Sequence, residues 1–177
     1  MLPVHVKLLI YNTLIACHFN QGILVWGNNS KIDRILKLQK KAVRVILNTR
    51  YNAHSDPLFK KLGVLKVTDM HMIAQLKFIY NHTRDLLPTN LQSISVKLNS
   101  EIHDHYTRQA SFEHRTYCHP KSLKLVLEKG LSIFPESVMN GFYVNSLATV
   151  VKSYKRCILN GYSDVELCPD SKCVSCK

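Results

Sequence analysis

A chain of 177 residues, 46% of them hydrophobic, has enough apolar material for one core, or for one core and a tail. Its formal net charge of +12 argues against an acidic small-molecule substrate and for nucleic acid or an anionic surface as partner. The charge is uneven: residues 1–50 carry eight Lys or Arg against one acid, while residues 101–177 carry ten against eight.

Residues 4–19 place Val6, Leu9, Ile10 and Leu14 at helical spacing, which predicts a helix. Leu14-Ile15-Ala16-Cys17 has the outline of a lipoprotein cleavage box. Tyr11, Asn12 and Thr13 precede it, however, and the only charge upstream, Lys7, lies well inside, so no leader is read here. His18, Asn20 and Gln21 interrupt the best apolar run, so no spanning helix and no membrane partner is expected. Gly22 to Gly27 forms an apolar turn that holds the chain's one tryptophan, Trp26, and Asn28-Asn29 closes it.

A basic helix follows over residues 31–48. Ser30 with Asp33 reads as a capping box at its start. On a wheel with Arg34 at zero, Ile32, Ile35, Leu36, Ala42, Val43 and Ile46 fall in an arc centred near roughly 130°. Arg34, Lys37, Lys40, Lys41 and Arg44 fall opposite, near roughly 310°, and Lys31 joins them from the first turn, near roughly 60°. Six cations against one acid make a face that repels itself, whereas a merely solvated face alternates its signs. Such a face suits polyphosphate, because each neutralised phosphate releases counterions. Arg50 extends the candidate set, and Lys60 and Lys61 join it as weaker members.

After a polar linker at 52–55, Asp56-Pro57 opens a short helix that Gly63 ends. Thr68-Asp69 caps a helix over about 69–84, apolar on nearly all sides and therefore expected to be buried. Residues 89–120 are polar and rich in histidine, and an irregular segment is expected. Ser122–Lys129 reads as a short helix or strand. Ala148–Leu159 reads as a helix with Val150, Val151, Tyr154 and Ile158 inward, and the tail from Ser163 as disordered. The expected fold is mainly α. Its expected divisions are a helical region at 1–88, the irregular segment at 89–120, a C-terminal helical region at 121–162 and a Cys-containing tail at 163–177.

No catalytic constellation stands out. The aspartates are dispersed, and two-metal phosphoryl transfer needs converging carboxylates. There is no phosphate-cradling glycine loop, GxSxG or HExxH. His103-Asp104-His105 reads as polar surface. Cys168, Cys173 and Cys176 have knuckle-like spacing, but a structural zinc wants four closed ligands, and Cys157 would have to supply the fourth. No cofactor is expected. The scattered cysteines read as reduced thiols of an intracellular protein, nuclear or cytoplasmic and not secreted.

Several stretches resemble one family in the expected order. Leu9-Ile10-Tyr11, Gly22-Ile23 to Trp26-Gly27, and Leu38-Gln39-Lys40-Lys41-Ala42-Val43-Arg44-Val45-Ile46 look like the region after the polymerase palm in non-LTR retrotransposon reverse transcriptases of the LINE or Jockey-like class. Pro57 to Leu62 with Leu65 and Asp69, Leu86-Leu87-Pro88, His105-Tyr106-Thr107-Arg108, and Tyr154-Lys155-Arg156 through Tyr162 continue the likeness. One departure is the family's WN-x-LP segment, replaced here by Ser132-Ile133-Phe134-Pro135-Glu136-Ser137 without the Trp.

The resemblance implies a thumb-like region of an RNA-directed DNA polymerase, without its catalytic aspartates and so not an enzyme by itself. It implies that the basic helix follows the backbone of RNA or an RNA–DNA duplex, with Trp26, Gly22 and Gly27 shaping the approach to it, and that the palm is a further partner. Two other readings stand beside it: a decayed retroelement fragment without selected activity, and an interaction module whose apolar face at 32–46 binds a partner helix.

Overall fold

The computed structural model describes residues 2–92, 126–127 and 133–164. The protein is mainly helical, with no strand element among the described residues. It divides into two compact units. One joins Met1–Ile73 to Lys152–Lys177, and the other is Ala74–Val151. The first unit is discontinuous in sequence.

In the first unit, α1 (Val4–Ile10) runs through a π-helical segment, Tyr11–Ala16, into α2 (Cys17–Asn20). The Thr13 hydroxyl donates to the Leu9 carbonyl at 2.9 Å, the kind of side-chain intrusion that disturbs a helical ladder. Only Tyr11 of this rod is buried. The helix expected at 4–19 is present, but its apolar stripe faces outward: Leu9, Ile10 and Leu14 are exposed.

The glycine-bounded turn contains a helical turn of its own, α3 (Ile23–Trp26), entered at Gly22 with φ +61°. Next comes α4 (Ile32–Leu47), which ends at Asn48 in the left-handed conformation. The expected Ser30–Asp33 capping box does not form. Lys31 takes the N-cap position without a side-chain cap, and the Asn29 side-chain oxygen accepts from the Lys31 N–H at 3.0 Å. Helix α5 (Ser55–Leu62) ends at Gly63, φ +62°, where a left-handed residue is needed.

Helix α6 (Val67–Thr83) begins two residues before the expected start. Gln39 of α4 explains the difference: its Oε1 accepts from the Val67 N–H at 2.8 Å and so supplies the cap from another helix. As expected, α6 buries nearly its whole circumference, and within it only Lys77 and the terminal Thr83 are exposed. The core of this unit gathers Val43, Phe59 and Tyr162, with Leu58, Leu62, Val64, Ile158 and Leu159 packed around them. Phe59 and Tyr162 meet edge to face at 6.3 Å.

In the second unit, α7 (Thr89–Gln92) is a short helical turn at the start of the stretch expected to be irregular. Residues 93–120 of that stretch lie outside the described residues. So do most of Ser122–Lys129, of which Val126 and Leu127 are helical and buried, and most of the tail. Helix α8 (Glu136–Phe142) buries Val138 and Phe142, and Phe134 just ahead of it is also buried. Tyr80 packs on Phe142 at 5.4 Å and donates its hydroxyl to the Asn145 carbonyl at 2.9 Å. Arg84 covers the Tyr80 ring and donates to the Tyr143 carbonyl at 2.8 Å. Helix α9 (Leu147–Gly161), whose residues from Lys152 on belong to the first unit, matches the helix expected at 148–159, with Val150 and Tyr154 buried and Val151 and Ile158 half-buried.

Candidate nucleic-acid interface

The cations of α4 do not share one environment. Lys31, Arg34, Lys37 and Lys41 are exposed, whereas Lys40 and Arg44 keep only 8% and 7% of their surface. The buried side of the helix is centred on Gln39, Lys40, Val43, Arg44 and Ile46. It is therefore turned by roughly 60° from the apolar arc toward the cationic one.

Two features account for the turn. Gln39 sits inside the apolar arc, almost fully buried. Its amide donates to the Tyr11 hydroxyl and the Leu65 carbonyl, both at 2.8 Å, while its oxygen holds Val67. At the other end, the chain after Asn48 folds back, and the Ala53 carbonyl takes the Arg44 Nε at 3.0 Å. Arg44 therefore anchors the loop and does not share the solvent-facing row. Lys40 likewise leaves that row by burial.

What remains is a row of four cations, Lys31, Arg34, Lys37 and Lys41, with Leu38 and Val45 exposed among them at 63% and 67%. The row spans about 15 Å along the helix axis. Laid along a duplex strand, it would pass on the order of four phosphates. The two ion pairs among the described residues, Lys60–Asp164 and Lys66–Asp56, both lie off α4. Arg50 is exposed beyond the end of α4 and Lys61 is exposed on α5, while Lys60 is engaged by Asp164 at 2.7 Å.

Trp26 is half-buried, and its indole N–H donates to the Gln21 carbonyl at 2.7 Å, which ties the turn to the residue before Gly22. Gly27 is buried against α6. A Cβ built on it would collide with the His71 imidazole and come within 2.5 Å of the Ile23 carbonyl oxygen. Gly22 and Gly27 thus have different reasons to be glycine: one for backbone conformation, the other for space.

A second polar cluster was not anticipated from the sequence. The Tyr162 hydroxyl donates to Asp69 and accepts from the Lys66 backbone N–H at 3.1 Å. The Lys66 ammonium lies 4.5 Å from the Tyr162 ring centroid and pairs with Asp56 at 2.9 Å. Burial raises the pKa of Asp69, against the lowering effects of Tyr162 and Lys66. Burial and the bond to Asp69 raise that of Tyr162. Read from the sequence, Asp69 was a helix cap and Tyr162 a closing aromatic; 93 residues apart, they carried no local signal of each other.

Among the described residues no three His, Cys, Asp or Glu side chains converge as a metal site. Cys157 and Cys17 are exposed free thiols. His103-Asp104-His105, Cys168, Cys173 and Cys176 lie outside the described residues. No described helix is long and apolar enough to cross a membrane. Compared with known protein families, with characterised proteins and with solved structures, the chain matches none.

Proposed function

We propose that this chain binds the phosphate backbone of RNA or an RNA–DNA duplex through Lys31, Arg34, Lys37 and Lys41, without sequence choice and without polymerising anything itself. On this reading it is the post-palm, thumb-like part of a non-LTR reverse transcriptase, as the motifs of its first half suggest. The supporting observation is the exposed row of Arg34, Lys37 and Lys41 on α4 with Lys31 at its N-cap, set away from the ion pairs that occupy Lys60 and Lys66. Phosphate contacts position a protein on a duplex, and a helix face with fixed spacing serves that purpose better than mobile loops.

For the interaction-module reading, Val43 and Ile46 of the apolar face at 32–46 are buried, whereas Ile32, Ile35, Leu36 and Ala42 are half-buried. The test is fluorescence-anisotropy binding to an RNA–DNA duplex at several salt concentrations. Affinity should fall steeply with salt, and Arg34→Gln/Lys37→Gln/Lys41→Gln should reduce the log–log slope by about two to three. An unchanged slope in a folded triple variant would remove α4 from the contact surface.

A further inference from the structure

We infer that the exposed face of α4 distinguishes double helices by groove shape. It takes an A-form duplex across its wide minor groove in preference to B-form DNA, with Leu38 and Val45 as the selecting residues. The preference rests on α4 holding the phosphate backbone, as proposed above. Leu38 and Val45 are 63% and 67% exposed within the cation row. On a wheel with Arg34 at zero they stand at roughly 40° and 20°. Lys41 and Lys37 lie on one side, at roughly 340° and 300°, and Lys31 at the N-cap lies on the other, at roughly 60°. Asp33, the one acid of the helix, falls outside this arc at roughly 260°.

The face therefore has an apolar crest and cationic shoulders. When the shoulders reach phosphates, Leu38 and Val45, about 10 Å apart along the axis, must lie against whatever separates the phosphate rows. The minor groove of B-form DNA, about 6 Å wide, does not admit a helix about 10–12 Å across. Its major groove does, but the floor is lined with base-edge donors and acceptors. Leu38 and Val45 offer these no hydrogen bond, and covering them unpaired costs free energy.

An A-form duplex differs on both counts. Its major groove is deep, narrow and closed to side chains, while its minor groove is wide and shallow, with the sugars at its surface. A helix laid across so shallow a groove can rest its aliphatic crest on the carbon faces of the sugars while its shoulders meet the phosphates. Such a crest reads no base edge, which agrees with binding without sequence choice. RNA–RNA and RNA–DNA duplexes share this geometry.

The test measures fluorescence anisotropy of the full chain with RNA–RNA, RNA–DNA and DNA–DNA duplexes of one sequence at matched salt. Both A-form duplexes should bind at least about tenfold more tightly than the DNA duplex. The ratio between the two A-form arms tells whether one ribose strand is enough. Leu38→Ala/Val45→Ala keeps every cation and changes only exposed side chains, so the fold should persist. It should bring the three affinities to within about twofold of one another and leave the salt slope unaltered. Equal binding of the three duplexes by the unaltered chain, or a preference that survives in the folded variant, overturns the inference. A steep salt slope in those same titrations leaves the phosphate contacts of α4 standing, so the two proposals fail separately. Attachment to phosphatidylserine-containing vesicles that the variant abolishes, without any preference among duplexes, also overturns it and places the crest at a lipid surface.

Discussion

The first helix and α4 are both amphipathic at the helical period, yet they use their faces in opposite ways. The first turns Leu9, Ile10 and Leu14 outward and buries only Tyr11. The second turns Lys40 and Arg44 inward along with Val43 and Ile46. Apolar periodicity therefore decides that a helix forms, while burial of any one face depends on which polar groups find partners. Gln39 and Arg44 find backbone partners inside, at Leu65, Val67 and Ala53, and the cost of burying them is offset. The leucines of the first helix have no such internal seat.

That contrast can be broken most forcefully at Gln39. Gln39→Leu keeps the volume but leaves the Val67 N–H and the Leu65 carbonyl without their partner, and it should cost about 3 kcal/mol or more in urea unfolding. A loss below about 1 kcal/mol would mean that the burial of α4 does not depend on this amide. A smaller effect separates the two classes of cation. Arg44→Gln should destabilise the fold by about 1–2 kcal/mol and leave the salt slope of duplex binding nearly unchanged. The exposed triple variant should do the reverse. A flattened salt slope in folded Arg44→Gln would put that guanidinium back among the phosphate contacts.

The smallest effect concerns acidity. Burial lowers the pKa of His71 from its ordinary 6.5, so the unfolded chain binds more protons than the folded one below that point. Stability from His71 is complete above about pH 6.5 and is lost as pH falls toward the folded pKa. Asp69 acts with the opposite sign. Its raised pKa contributes stability below the ordinary carboxylate range, and that contribution is lost as pH rises through the folded value. Thermal unfolding followed from pH 7 to 5.5 should show a falling midpoint that flattens in His71→Gln. An equal slope in the variant would assign the acid sensitivity elsewhere.

Helix positions were largely readable from the sequence because each relied on local signals: Gly63 after α5, Pro57 in its first turn, and the all-round apolar run of α6. The Ser30–Asp33 box looked complete, but the helix starts one residue later, with Lys31 at the N-cap and no side-chain cap. The other errors share one cause. The start of α6 was misplaced because its cap comes from Gln39, 28 residues away. Of the candidate cations, Lys31, Arg34, Lys37 and Lys41 stayed on the surface, while Lys40 and Arg44 did not, since a helical wheel cannot register a carbonyl arriving from a following loop. The Asp69–Tyr162 pair was out of reach for the same reason.

The close approach of Gly27 to the His71 ring carries a historical consequence. No substitution at position 27 can be accommodated while an imidazole occupies that space, because the adjoining contact is the immovable Ile23 carbonyl as well as a ring. Replacing His71 with a smaller residue removes only the ring contact; the Ile23 carbonyl oxygen still lies 2.5 Å from the added carbon. Any descendant that keeps this turn should therefore keep glycine at 27, whatever residue comes to stand at 71.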